Sequence, residues 1–218
     1  MLRGTLLLML LFGVSNAIAQ TSARPILVLG DSLSAAYGIP VESGWVNLLN
    51  DRMAKQSPAR NVVNASISGE TSSGGLARLD ALLAEHKPAL VLVELGANDA
   101  LRGLPIDEPT RNLTTIIERS RRAGAKVLLI GTEIPLNYGP QYRDRLRTMY
   151  QGLAKQFKLP LVPFLLEGVA LDPALMQADG LHPTAAAQPQ VLETMWKFVA
   201  PMLPALDRKT SSASIQKD

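Results

Sequence analysis

Short apolar runs alternate with longer amphipathic stretches along most of this chain. Five runs are rich in Val, Ile or Leu and bounded by Gly, Pro or Asn: Ile26–Leu29, Asn61–Asn64, Leu90–Glu94, Lys126–Ile130 and Leu161–Pro163. Runs of this length and composition predict buried strands. Between them, apolar residues recur at helical spacing. Trp45, Leu48 and Leu49 mark one stripe, and Leu76, Leu79, Leu82 and Leu83 a second. Leu113, Ile116 and Ile117 mark a third, and Leu146, Met149, Tyr150, Leu153 and Phe157 a fourth. Val191, Leu192, Met195, Phe198, Val199 and Met202 form the last. Each stripe predicts the core-facing side of a helix.

Strand–helix repetition predicts an α/β fold: a three-layer α/β/α sandwich around a five-stranded parallel sheet. The flavodoxin-like order 2-1-3-4-5 suits five strands and sets the first between the second and third. Ligands of such sheets bind outside the carboxyl ends of the strands, where the order switches. Neither an internal repeat nor a linker divides the stretch 20–206, which reads as one domain.

The two ends of the chain read differently. Arg3 supplies a minimal positive start, Leu6 to Val14 an apolar core, and Ala17-Ile18-Ala19 a small-residue cleavage pattern. Residues 1–19 therefore read as a secretory signal peptide, cleaved after Ala19 to leave Gln20 first. The apolar run is short for a membrane span, so no stable anchor is expected after cleavage. At the other end, 207–218 is polar and serine-rich without periodicity, and reads as a disordered tail.

Composition narrows the chemistry. The 218 residues, 47% hydrophobic and 19% charged, are those of an ordinary globular protein. A formal net charge of +3, scattered along the chain, does not point to nucleic acid. Loss of Arg3 with the signal leaves about +2. The absence of cysteine excludes disulfides, a thiol nucleophile and cysteine metal sites. Two distant histidines offer no credible zinc site, so no metal is expected. Without Gly-x-Gly-x-x-Gly or a P-loop there is no phosphate cradle, and without Gly-x-Ser-x-Gly no nucleophile elbow of the α/β-hydrolase kind. No cofactor is expected, and a monomer is.

The predicted topology demands polar groups after strands 1, 2 and 3, and they are present. Strand 1 runs into Gly30-Asp31-Ser32-Leu33-Ser34, strand 2 into Asn64-Ala65-Ser66-Ile67-Ser68-Gly69-Glu70-Thr71, and strand 3 into Leu95-Gly96-Ala97-Asn98-Asp99. Before the last helix stands Asp179-Gly180-Leu181-His182-Pro183. A serine hydroxyl needs a base to act as a nucleophile near neutral pH. His182 can take the Ser32 proton, because imidazole titrates near pH 6.5. Asp179, three residues earlier, can accept the other ring N–H across a tight Asp-Gly turn and fix the tautomer. Pro183 suits the start of a helix. Asp31 and Asp99 read as turn or supporting residues. His86, at a helix end in Glu85-His86-Lys87-Pro88, reads as a solvated surface residue.

These four segments, in this order, resemble the blocks of the SGNH (GDSL-type) hydrolases, over about residues 24–203. Ser32, Gly69, Asn98 and His182 stand at the four named positions, with Ala97 where a second glycine is common. Within the family the chain is most similar to the bacterial secreted thioesterase I/lysophospholipase L1 (arylesterase) group. The resemblance implies a catalytic Ser32, His182 and Asp179, and an oxyanion hole from the backbone N–H groups of Ser32 and Gly69 with the Asn98 side chain. It also implies a periplasmic or secreted serine hydrolase that cleaves acyl esters, acyl thioesters and lysophospholipids through an acyl-serine intermediate. Two apolar loop segments, Leu104-Pro105-Ile106 and Ile134-Pro135-Leu136-Asn137-Tyr138, are candidates for an acyl groove, with Leu104, Ile106, Ile134, Pro135 and Tyr138 as its residues. Two alternatives stand beside this reading: an esterase of acetylated carbohydrate, and a non-catalytic domain that binds a small ligand.

Overall fold

The computed structural model describes residues 23–207. The segment 1–19, expected to be a signal peptide, and the stretch 208–218 lie outside the described residues. Five parallel strands form one sheet: β1 (Ile26–Gly30), β2 (Val62–Asn64), β3 (Leu90–Glu94), β4 (Lys126–Ile130) and β5 (Leu161–Val162). Their order is β2-β1-β3-β4-β5, the flavodoxin-like order expected for five such strands. β1 and β3 pair in register from Ile26 with Leu90 to Gly30 with Glu94. That register sets Gly30 and the carboxyl-bearing Glu94 side by side at the end of the sheet.

Seven α-helices complete the described chain: α1 (Trp45–Ala54), α2 (Ser72–His86), α3 (Ala97–Leu101), α4 (Asp107–Arg122), α5 (Pro140–Phe157), α6 (Gln188–Val199) and α7 (Leu203–Asp207). The strand pleat sorts their partners. Leu27, Leu29, Val91, Val93, Val127 and Leu129 pack on one face against the stripes of α2, α4 and α5. Ile26, Val28, Leu90, Leu92, Leu128 and Ile130 face the opposite way, against α1 and α6. Strands covered on both sides need apolar residues at consecutive positions, which is why these read as unbroken runs rather than alternations.

Three details differ from the pattern. The short helix α3 was not marked by a stripe, because five residues are too few to show one. Asp207, assigned from composition to the tail, closes α7 and accepts a hydrogen bond from the buried Arg60 guanidinium. Pro183 does not start a helix: it forms an isolated bridge with Met176, and a 3-10 turn at Ala185–Ala187 leads into α6.

Candidate active site

β1 ends in a turn rather than a helix, so Ser32 stands just outside the sheet. The turn closes where the Ala35 N–H donates to the Asp31 carbonyl at 2.9 Å and the Tyr37 N–H to the Ser32 carbonyl at 3.1 Å. Gly30 makes the turn possible by close approach: a Cβ there would lie 2.8 Å from Glu94 Oε2 and from the Ser34 side chain. Asn64, at the end of β2, braces the same turn by donating its amide to the Ser34 carbonyl at 2.8 Å.

The loop after β5 delivers His182 to this serine. Its Nε2 lies 2.8 Å from Ser32 Oγ, and its Nδ1 lies 2.7 Å from Asp179 Oδ2. An ionised carboxylate only accepts, so the Nδ1 proton points to Asp179 and the Nε2 lone pair faces the serine hydroxyl. Asp179 Oδ1 also accepts from the Leu181 and His182 N–H groups, at 2.9 and 3.1 Å. Burial pulls the Asp179 carboxyl upward. The hydrogen bonds from Leu181 and from the His182 ring and backbone outweigh it and hold the group down at about 2. An anion therefore stands behind the imidazole throughout the neutral range. This chain of hydrogen bonds can pass the hydroxyl proton to the ring while the ring keeps one orientation.

Three residues that sequence reasoning missed support the histidine and the turn. The Tyr37 ring lies 4.5 Å from the His182 ring, centroid to centroid, tilted by 41°. Gln177 donates its amide to the Tyr37 and Pro183 carbonyls at 2.8 and 3.0 Å, clamping the two loops together. Glu94, counted from sequence only as the end of a strand, is 3% exposed beneath the turn. Its Oε2 accepts the Asp31 N–H at 3.1 Å and the Ser34 hydroxyl at 2.8 Å. A charged residue closing an otherwise apolar buried strand was the available signal for it, since buried carboxyls need partners.

The oxyanion candidates come from two further strand ends. Asn98 sits in the first turn of α3 and lines the cavity beside Ser32. Its Nδ2 donates to Asp31 Oδ2 at 3.0 Å, leaving one amide hydrogen for a ligand. Gly69 has φ +79, a conformation that L side chains rarely adopt, and a Cβ there would meet nothing within 4 Å. It stands in the open loop between β2 and α2, where Arg102 donates to its carbonyl at 2.9 Å. Among the described residues, neither the Ser32 nor the Gly69 backbone N–H meets a protein acceptor. Asp99, next to Asn98, is fully buried and accepts the Ser72 N–H and hydroxyl, joining the start of α2 to α3. Loss of such a charged, buried hydrogen bond costs about 1.5–3 kcal/mol, enough to fix the helix that carries Asn98. Asp31 and Asp99 thus play the supporting parts expected of them. His86 is far from this edge, half-buried, with Glu85 3.7 Å away.

A cavity of about 780 Å³ opens beside Ser32 and His182. Ile134, Pro135, Leu136, Phe164, Leu166 and Leu171 form much of its wall, with Glu133 and Arg143 as a polar patch. Only part of the expected groove is here. Ile134 and Pro135 line it, whereas Leu104, Ile106 and Tyr138 do not. Ile106 is buried in the core. Tyr138 packs against that core and donates its hydroxyl to the Leu101 carbonyl at 2.8 Å. Leu104 is held through its carbonyl by the Tyr142 hydroxyl at 2.6 Å. The Leu104–Ile106 segment supports α3 and α4 from behind, so its apolar character serves packing. The Phe164–Leu171 wall escaped notice because it lies in a loop with no regular period. Among the described residues, no cluster of three or more His, Asp or Glu is placed to hold a metal ion.

Comparison with known proteins agrees with this geometry. The family model for the GDSL-like Lipase/Acylhydrolase family matches residues 28–188. Esterase TesA of Pseudomonas aeruginosa is 52% identical over 184 residues, covering 84% of this chain and 92% of that protein. Thioesterase 1/protease 1/lysophospholipase L1 of Escherichia coli is 44% identical over 193 residues, covering 88% and 91%. A crystal structure of TesA superposes with a TM-score of 0.80 at 52% identity, over 82% of this chain and 99% of that one. The match runs from β1 through the His182 loop into α6, and on that ground this chain belongs to the GDSL-like lipase/acylhydrolase family.

Proposed function

We propose that this chain is a serine esterase and thioesterase that hydrolyses acyl esters, acyl thioesters and lysophospholipids. One observation carries the reading: the Ser32–His182–Asp179 hydrogen-bonded chain stands at the mouth of a large, mostly apolar cavity. Ser32 Oγ attacks the carbonyl carbon as His182 Nε2 takes its proton, and Asp179 stabilises the imidazolium so formed. The carbonyl oxygen gathers negative charge, which the Ser32 and Gly69 N–H groups and the free Asn98 amide hydrogen receive. His182 then gives its proton to the departing alkoxide or thiolate. Water, activated by the same imidazole, releases the acid from Ser32 and restores the hydroxyl.

Cavity size and lining support a medium or long acyl chain. About 780 Å³ is far more than an acetyl group fills, and Leu136, Leu171 and Leu181 leave apolar surface exposed at the site. The leader-like pattern of residues 1–19 supports action outside the cytoplasm, in the periplasm or the medium.

A panel of p-nitrophenyl esters from acetyl to palmitoyl, with an acyl-CoA and a lysophospholipid, tests the reading. Activity should rise from acetyl to a medium-chain optimum. Fluorophosphonate should label the wild type, and Ser32→Ala should lose both labelling and turnover with an unchanged melting temperature. Activity confined to acetyl esters would reject the acyl cavity, and an unlabelled wild type would reject the enzyme.

A further inference from the structure

Asp31 is 1% exposed, and its two carboxylate oxygens take different donors. Oδ1 accepts the Leu33 N–H at 3.0 Å, which shapes the turn that presents Ser32. Oδ2 accepts the Asn98 amide at 3.0 Å. A primary amide has an accepting end and a donating end of nearly the same shape. With a carboxylate oxygen opposite, Asn98 can present only its nitrogen. The second hydrogen on that nitrogen is then the one left to the cavity that Asp31, Ser32 and Asn98 line together.

Glu94 stands behind Asp31. Its Oε2 holds the Asp31 N–H and the Ser34 hydroxyl, and lies against Gly30. Two carboxyl groups this close and this buried do not both ionise. Burial, then the neighbouring Asp31 charge, pushes the Glu94 carboxyl well above the usual carboxylate range, so of the two Asp31 is the one that ionises more readily. Only a carboxylate offers two accepting oxygens, and position 31 uses both.

We propose that Asp31 is a positioning residue, which dictates the end of the Asn98 amide that faces the reacting carbonyl, with Glu94 holding Asp31 in place. This rests on the esterase reading above and extends it to residues outside the Ser32–His182–Asp179 chain. An asparagine at 31 has one accepting end. It must give up either the Leu33 bond or the Asn98 bond, and in the second case Asn98 turns its oxygen toward the developing oxyanion.

The test is a double-mutant cycle on the purified protein with a p-nitrophenyl ester, reading kcat and KM separately. Asp31→Asn should lower kcat on the order of 10–100-fold with KM within about twofold, and Asn98→Ala should lower it about 10²–10³-fold. The double variant should fall no more than about twofold below Asn98→Ala. Asp31→Ser repeats the cycle should Asp31→Asn fail to fold, since its hydroxyl can keep the Leu33 bond while releasing Asn98. Independent, multiplicative losses, or a loss confined to KM, would overturn the positioning role. Fluorophosphonate labelling of the wild type separates the two failures. A labelled, active wild type with multiplicative losses rejects only the role of Asp31, whereas an unlabelled and inactive one rejects the esterase itself.

Discussion

The ring of Tyr37 lies over that of His182, 4.5 Å between centroids, although 145 positions separate them in the chain. Tyr37 is half exposed, so it covers the histidine without being locked in the core. Aromatic pairs of this kind contribute about 0.5–1.5 kcal/mol. Tyr37→Ala should therefore lower the melting temperature by roughly 1–6 °C and lower kcat as His182 loses the ring that covers it, and Tyr37→Phe should restore both. Equal rates for wild type and Tyr37→Ala, in a steady-state assay, would remove the ring from the account of His182.

Gly30→Ala should disturb the turn from below. The added methyl meets Glu94 Oε2 and Ser34 at 2.8 Å, and a hydrogen bond from the Ser34 hydroxyl to that oxygen ties the two together. Overpacking of this kind costs about 1–3 kcal/mol. A melting temperature lower by roughly 2–10 °C is expected, with kcat reduced as well. A variant as stable and active as the wild type would show that Glu94 has room to move.

Stability should depend on pH through Asp31. Burial, partly offset by its hydrogen bonds, raises this carboxyl from 3.8 to about 6. The folded state thus binds the proton more tightly than the unfolded chain does. The sign follows: the contribution is fully present below pH 4 and lost as pH rises through 6. Relative to Asp31→Asn, which does not titrate, the wild type should lose on the order of 2–3 kcal/mol between pH 4 and 7. Denaturant unfolding of both proteins across that range measures it, and parallel curves would mean that Asp31 titrates normally.

Strand and helix positions were legible because each is a local pattern. The runs at Ile26, Leu90 and Lys126 read as strands and are covered on both faces, and the stripes at Leu79, Ile116 and Tyr150 face one side of the sheet. The serine, histidine and aspartate were legible for a different reason: the expected order of the strands brings distant loops to one edge. Ile106 and Tyr138 misled because an apolar loop residue looks the same whether it lines a cavity or supports a helix.

The amino-acid sequence by itself determined the α/β architecture and the residues able to carry acyl transfer, since periodicity and block order are written along the chain. Tertiary structure alone decided what surrounds Ser32. Pairing of Gly30 with Glu94 buried a carboxyl beneath the turn, and convergence of the β1, β3 and β5 loops set Asp31 against Asn98 and Tyr37 over His182. Such contacts depend on register and on the direction each side chain leaves its strand. These are properties of the assembled sheet, and no single segment encodes them.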